Sequence, residues 1–399
     1  MTPPKMTATE CKAIFSLSAI LSLRMLGLFM ALPLFALYAS HLPGATPLLV
    51  GLALGIYGLT QAILQIPFGT LSDHFGRKKI IVLGLCIFTI GSLIAATSHT
   101  IWSMLLGRAL QGAGAIGSTI IALIADLTRP EQRTKAMAIS GITIGMSFLL
   151  AMIAGPIVAT WIQMSGIFWL AALFSIVAII LLFTAVPTPT AIAEQVDTEL
   201  TLHSLPALLK QPELNRLNIG IFFLHIIFTA SFVVIPINLQ TLAGLNSHQQ
   251  WLLYLPTLII AFFISISCIK VAEKKEQIKH FFIGSILSLI IAEFLLWIFA
   301  HQLLLSALSL LLFFSAFSLL EAFLPSLVSR TAPPQRKGTA LGIYSCSQFL
   351  GIFVGGILGG WIDGAFDPVK VYLFCAILAL VWSAIAFRMK NPQYSTTSH

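Results

Sequence analysis

Charged residues are scarce in this sequence: they occupy 9% of its 399 positions, whereas hydrophobic residues occupy 58%. About a quarter of the residues of a soluble domain are charged, so the composition excludes a soluble protein. The basic residues lie in short segments between apolar blocks, so the net charge of +8 does not indicate a nucleic-acid partner. The apolar blocks are about 20 residues long, the length that crosses a bilayer as a helix.

Cysteine and the usual catalytic motifs are also missing or sparse. The five cysteines include no Cys-x-x-Cys pair, so we expect small buried side chains and neither a metal nor another cofactor. No phosphate-binding loop, HExxH or GxSxG motif occurs, which argues against ATP-driven transport and against a familiar enzyme. A membrane sensor, a membrane-embedded enzyme and a channel stay as weaker alternatives, because no output domain, catalytic pair or repeated polar filter is visible.

The apolar blocks predict an all-α membrane protein with twelve transmembrane helices. The first six are predicted at 14–39, 48–71, 80–97, 101–125, 136–159 and 167–186. The second six are predicted at 216–242, 249–271, 280–300, 302–328, 338–360 and 370–388.

The two groups of six helices and the polar segment between them divide the chain into three predicted parts. These are an N-terminal bundle over 1–186, a cytoplasmic linker over 187–215 and a C-terminal bundle over 216–399. A Pro-x-Gln-Arg sequence at 130–133 and again at 333–336 indicates that the two bundles are internal repeats. The linker is too polar to enter lipid. Its middle, Leu200–Leu209, is weakly amphipathic and is predicted to lie along the membrane surface.

The distribution of basic residues predicts the orientation of these helices. With both termini in the cytoplasm, 19 of the 22 lysines and arginines fall in segments on the cytoplasmic side. Only Lys370 falls in an outer loop, and Arg24 and Arg108 lie within helices. This asymmetry follows the positive-inside rule, so we predict a multi-pass protein of a bacterial inner membrane with both termini cytoplasmic.

Three motifs resemble those of the major facilitator superfamily. The clearest lies between the second and third predicted helices and reads Gly69-Thr-Leu-Ser-Asp-His-Phe-Gly-Arg-Lys-Lys79. A solvated turn would not explain the acidic Asp73 among these basic residues. The segment resembles the family's cytoplasmic signature loop. Arg108-Ala-Leu-Gln-Gly112 resembles the second family motif. Gly155-Pro156 is similar to the glycine-proline motif of antiporter branches, although Ala159-Thr160 replace its usual glycine pair.

The resemblance implies two six-helix bundles that transport a solute by alternating access. It also implies that Asp73, Arg77 and Asp126 form a charge network that favours the outward-facing state. Further stretches resemble a group of bacterial drug:proton antiporters whose members usually carry a small soluble domain after the last helix, which we expect to be absent here. The residues that the motifs assign to a conformational gate are Gly69, Asp73, Gly76, Arg77, Arg108, Asp126, Gly155 and Pro156.

Ionisable residues inside the membrane indicate the candidate cavity, because such residues are costly unless they serve a function. Arg24 lies near the midplane, and Glu321 lies about 14 Å from the cytoplasmic end of its helix at 1.5 Å per residue. His225 lies at a similar depth, where a cavity role and a packing hydrogen bond are equally good readings. The resemblance implies that the ninth helix, which carries Glu293, is peripheral and faces lipid, where this acid would be protonated or pair locally. The predicted cavity for solute and proton comprises Arg24, Gln61, His225 and Glu321.

These observations predict a secondary transporter and not an enzyme. The favoured function is proton-coupled export of a small amphipathic solute by a monomer that contacts membrane lipid. The alternative is a dedicated importer or exporter of one metabolite, such as a siderophore. One central arginine and few carboxylates would suit a solute with some anionic character.

Overall fold

The computed structural model describes residues 6–187, 208–333 and 336–389, and these residues form helices without strands. One 3-10 turn, Ser247–Gln249, precedes α9. The helices are α1 (Ala8–Phe29), α2 (Leu32–Ala39), α3 (Pro47–Phe75), α4 (Arg77–Ala96), α5 (Ile101–Ala113), α6 (Gly117–Asp126), α7 (Pro130–Thr184), α8 (Pro212–Thr241), α9 (Trp251–Lys274), α10 (Ile278–Ile298), α11 (Leu303–Thr331), α12 (Lys337–Ala365) and α13 (Lys370–Phe387).

The helices supply twelve crossings within the described residues. Eleven helical segments are long and apolar enough to span a membrane, with α1 and α2 forming one segment and α5 and α6 another. Helix α7 has 55 residues, and its backbone leaves the helical conformation at Gln163, where φ is 60° and ψ is −178°. A crossing needs about 20 residues, so α7 contains two. The predicted all-α fold with twelve transmembrane helices is confirmed.

Four of the predicted helices are interrupted or joined in ways that the hydropathy does not show. The first crossing breaks between α1 and α2, just before Pro33, which has no backbone N–H to continue the hydrogen-bond pattern. The fourth breaks between α5 and α6 at residues 114–116. The fifth and sixth are joined without a loop, so the expected gap at 160–166 is replaced by the single turn at Gln163.

The described chain divides into two compact units. The first comprises Met1–Ala45 and Leu59–Leu200, and the second comprises Thr46–Gly58 and Thr201–His399. The first turns of α3 therefore group with the second unit. The prediction of bundles over 1–186 and 216–399 stays a prediction. Most of the linker, residues 188–207, and most of its amphipathic stretch Leu200–Leu209 lie outside the described residues.

Each unit has its own apolar core. In the first unit, aliphatic side chains of α1, α4, α6 and α7 pack together, and their centre includes the fully buried residues Ile14, Leu85 and Ile120. In the second unit, aromatic rings of α8 and α11 stack, with 4.4 Å between the ring centroids of Phe228 and Phe317. Aromatic pairs of this kind add about 0.5–1.5 kcal/mol beyond the burial of their area.

The outer faces of many helices carry large apolar side chains. Trp161 is 80% exposed and Leu304 is 72% exposed. Soluble monomers rarely expose large apolar patches, so this surface suits hydrocarbon and the protein is a multi-pass membrane protein. The expectation that all five cysteines are buried is wrong. Cys375 is buried, but Cys86 is exposed on the apolar face of α4 because that face points away from the core.

Candidate functional site

Arg24 lies fully buried in the first unit. Its Nη2 donates a hydrogen bond to Oε1 of Gln61 on α3 at 2.9 Å, and its guanidinium lies 5.5 Å from the ring centroid of Phe88 on α4. Gln61 and Phe88 are both neutral side chains. A cation over an aromatic face is stabilised by the ring electrons. The structure thus brings together Arg24 and Gln61, two of the four residues predicted for the cavity.

A second buried arginine lies on α5. Nη1 of Arg108 donates to Oε1 of Gln111 at 2.7 Å, and Nε2 of Gln111 donates to Oγ of Ser92 on α4 at 2.9 Å. The guanidinium also lies 5.3 Å from the ring centroid of Phe35 on α2. The arginine of the second family motif is therefore held by hydrogen bonds that join α5 to α4. Its assignment to the gate stays a prediction.

The signature loop forms a compact charge network in the first unit. Arg77, at the start of α4, makes an ion pair with Asp73 at the end of α3. Nε of Arg77 lies 3.0 Å from Oδ2 of Asp126 at the end of α6, and its Nη1 donates to Oγ of Ser72 at 2.6 Å. One arginine thus connects three helix ends. The three residues that the resemblance assigned to this network meet, and their role as a gate stays a prediction.

Two residues of the motif shape the turn on which this network rests. Gly76 has φ of 95°, a conformation that favours glycine, and it caps the start of α4. The carbonyl oxygen of Gly69 accepts a hydrogen bond from Oγ of Ser72 at 2.6 Å. Ser72 therefore links the backbone of Gly69 to Arg77. Sequence reasoning missed Ser72, although it lies within the motif.

The glycine-proline pair lies where α7 passes the break between α1 and α2. A Cβ atom on Gly155 would overlap the carbonyl oxygen of Met30, so only glycine permits this approach. Pro156 follows inside α7, where it removes one backbone donor. The pair thus combines a close backbone contact with a weakened helix. Its role in conformational change stays a prediction.

The other two predicted cavity residues meet in the second unit. Nε2 of His225 on α8 lies 3.5 Å from Oε1 of Glu321 on α11. The same nitrogen lies 3.0 Å from Nε2 of Gln348 on α12, and Nδ1 of His225 lies 3.3 Å from the carbonyl oxygen of Ile221. His225 is 7% exposed and Glu321 is 31% exposed. The side chain of Glu321 is therefore partly exposed, although its Oε1 is buried, and the imidazole is held by its neighbours.

This arrangement can hold a proton at either group. With a hydrogen on Nδ1 facing Ile221, Nε2 of His225 accepts from the amide of Gln348. Oε1 of Glu321, which carries a proton when the acid is neutral, lies 3.5 Å from the same nitrogen, slightly beyond ordinary hydrogen-bond length. For the proton to pass between them, the two side chains must approach and the amide of Gln348 must release the single lone pair of Nε2. Gln348 was not among the predicted site residues, and only the fold places it there.

The structure corrects the expectation that Glu293 faces lipid. Its side chain is fully buried, and its Oε1 accepts a hydrogen bond from Oγ of Ser231 on α8 at 2.7 Å. Helix α10 packs mainly against α11 and α13, and Glu293 reaches Ser231 of α8, which position in the fold alone did not reveal. Within the described ranges, no group of three or more His, Cys, Asp or Glu residues could hold a metal ion.

The comparison with family models decides the class of this protein. The model described as Major Facilitator Superfamily matches residues 17–278 and 272–398. The chain belongs to the major facilitator superfamily. It is 45% identical to the inner membrane transport protein YajR of Escherichia coli strain K12 over 390 residues, which cover 98% of this chain and 86% of that protein.

More distant relatives agree with this assignment. The tetracycline resistance protein of class B from Escherichia coli is 34% identical over 153 residues, which cover 37% of each chain. The crystal structure of a D-xylose-proton symporter matches 95% of this chain and 98% of its own with a TM-score of 0.74 at 16% identity, a likeness of fold alone. The protein is thus a transporter of the major facilitator superfamily, a class of transporters and not of enzymes.

Proposed function

We propose that this major facilitator protein exports a small amphipathic solute in exchange for protons. The observation that carries the proposal is the contact between His225 and Glu321 in the second unit. A proton-driven transporter needs a group inside the membrane that gains and loses a proton during its cycle. The carboxyl group of Glu321 is partly exposed and lies beside a second proton acceptor, which fits that requirement.

The energy for transport would come from protons that load this pair. Each proton that crosses the membrane brings about 2.3 kcal/mol per 100 mV of membrane potential. A pH difference of one unit adds about 1.36 kcal/mol. Binding of the solute would then favour the form of the pair without the proton, so that solute and proton use the site alternately.

Two observations support export. The Gly155-Pro156 pair, which is similar to a motif of antiporter branches, makes the close contact with Met30 on which a helix rearrangement can act. One relative is a tetracycline resistance protein, and a transporter confers resistance when it removes the compound from the cell. We propose the inner membrane as its location because YajR is an inner membrane protein.

Arg24 supports a solute with some anionic character. Its guanidinium carries a permanent positive charge and is presented by Gln61 and Phe88 deep in the first unit. A permanent charge at this depth is costly unless it serves a function. The same feature favours the second candidate, a dedicated transporter of one anionic metabolite such as a siderophore, in either direction.

The charge network of Asp73, Arg77 and Asp126 is proposed as the conformational gate, together with Gly69, Gly76, Arg108, Gly155 and Pro156. Arg77 connects the ends of α3, α4 and α6. Ion pairs that form in one conformation and break in another bias the equilibrium between the two. The network therefore has the connections that a gate requires.

The decisive experiment uses purified protein in liposomes with an imposed pH difference and a panel of labelled solutes. For one proton exchanged per solute, a difference of one pH unit sustains about a tenfold solute gradient. Glu321→Gln mimics the protonated acid. It should abolish this accumulation while solute exchange between the two sides continues.

The matched control is Glu213→Gln, which removes an acid that pairs with Arg216 near the start of α8. This control should accumulate solute as the wild type does. Accumulation by Glu321→Gln at the wild-type level would show that the proton uses another group. Solute flux without any response to pH would favour the dedicated, proton-independent transporter.

A further inference from the structure

Glu293 on α10 is a fully buried carboxyl group outside the site described above. Oγ of Ser231 lies 2.7 Å from its Oε1. Its Oε2 is also buried and has no hydrogen-bond partner among the described residues. A carboxylate in this position would bear an uncompensated charge, which costs several kcal/mol. A neutral carboxylic acid avoids that cost.

The groups around Glu293 are polar but not cationic. On α13, Sγ of Cys375 lies 3.6 Å from Oγ of Ser231. The nearest lysine on α13 is Lys370, and its Nζ lies over the ring of Phe366 at 5.2 Å from the centroid. No ion pair of Glu293 occurs among the described residues.

Glu293 is well separated from the His225 and Glu321 pair. Helices α10 and α11 run in opposite directions from the same connection at residues 299–302. Glu293 lies five residues from that end of α10, and Glu321 lies 18 residues from the corresponding end of α11. At 1.5 Å per residue the two acids differ in depth by roughly 20 Å. They cannot share one proton directly.

A small cavity with a mostly apolar lining lies one helical turn from Glu293 along α10, where Leu296 lines it. Asn238, Ser306 and Tyr372 are its polar lining residues, and its volume is about 10 Å³. A buried water needs roughly that space and two or more polar partners. Nδ2 of Asn238 donates to the hydroxyl of Tyr372 at 3.1 Å. The hydroxyl of Tyr254 is buried without a partner within the described part of the chain.

We propose that Glu293 is a second proton-binding site, which exchanges its proton with solvent through water held between α8, α10, α11 and α13. On release, the O–H bond of the acid breaks, its electron pair stays on the carboxylate, and water accepts the proton. Ser231 donates to the carboxylate that forms. Asn238 and Tyr372 line the route, which leads toward the end of the unit where the 242–250 and 299–302 connections lie. The site does not depend on the proposed direction or solute of transport.

Infrared spectroscopy of the purified protein tests this site without any transport assay. At neutral pH the C=O stretch of a protonated carboxyl should be present in the wild type, lost in Glu293→Gln and retained in Glu321→Gln. Ser231→Ala should shift the band to higher frequency, because it removes the hydrogen bond to Oε1. Transfer into D₂O should shift the band to lower frequency as the proton exchanges for deuterium.

Each result decides one step of the proposal. If Glu293→Gln keeps every carboxyl band of the wild type, Glu293 is ionised, and the proposed proton-binding site is wrong. A band that Glu293→Gln removes but D₂O does not shift would show a closed structural acid, and would overturn the exchange route. If Glu293→Gln folds poorly, the band shift in Ser231→Ala still tests the protonated acid, and the D₂O shift of the wild type still tests the exchange route. Failure of the proposed export would change none of these spectra.

Discussion

Arg77 shows how one residue can join parts of the chain that are distant in sequence. It is 14% exposed, and both carboxylates that it contacts are about one third exposed. Water therefore screens the ion pairs, and their contribution is smaller than that of a buried pair. Hydrogen bonds to a charged group contribute about 1.5–3 kcal/mol. We therefore expect the removal of one carboxylate to change the free-energy difference between the two conformations by about 1–2 kcal/mol.

Asp73→Asn should therefore shift the conformational equilibrium by a factor of about 5–30 and lower the transport rate several-fold. Expression and melting temperature should stay near those of the wild type, because the carboxylate is partly solvated. Glu273→Gln is the control, since Glu273 lies 3.9 Å from Arg330 in an exposed pair. Transport in liposomes and protein yield are the measurements. Equal transport rates for Asp73→Asn and the wild type would show that the charge network is not part of the gate.

At the scale of the element, α7 shows how a glycine sets the packing of two helices. The backbone of Met30, between α1 and α2, occupies the space that a side chain at position 155 would need. Ten residues earlier in the same helix, a Cβ atom on Gly145 would meet nothing within 4 Å. The two glycines look alike in the sequence, and only their neighbours distinguish them.

Gly155→Ala should destabilise the protein by about 1–3 kcal/mol, the usual cost of overpacking. Gly145→Ala should leave stability unchanged or raise it by up to about 1 kcal/mol, because alanine favours the helix over glycine. Thermal unfolding followed by circular dichroism compares the two variants. Equal melting temperatures for both would show that α7 does not approach Met30 as closely as the structure places it.

At the scale of the whole molecule, the open question is which side of the membrane each connection faces. The basic residues predict that the connection between α12 and α13 is outside and that the one between α9 and α10 is cytoplasmic. Asp367 and Lys275 are exposed residues of these two connections. They lie in the same unit and give a matched pair.

Single cysteines at these positions, in a background without the five native cysteines, test the orientation. In intact cells an impermeant maleimide should label Asp367→Cys and should label Lys275→Cys only after permeabilisation. The reverse pattern would invert the topology. Labelling of both positions from the same side would contradict the number of helices between them, and with it the cytoplasmic placement of both termini.

Several features followed from the sequence because they depend on the bilayer. The number of crossings follows from apolar length, and the cost of a charge in lipid points to Arg24, His225 and Glu321 as sites. The motif around Asp73 and Arg77 indicated the superfamily, because its glycines and charges are close together in the chain. These properties are local, and the structure confirms the fold that they predict.

Other features were decided only by tertiary packing. Glu293 was expected to face lipid and is buried, while Gln348 joins His225 without having been assigned to the site. A helix with apolar residues on every side has no distinct apolar face, so its sequence does not show which side points toward the other helices. The sequence therefore determined the depth of each ionisable group in the membrane, and only the packed helices decided which way it points.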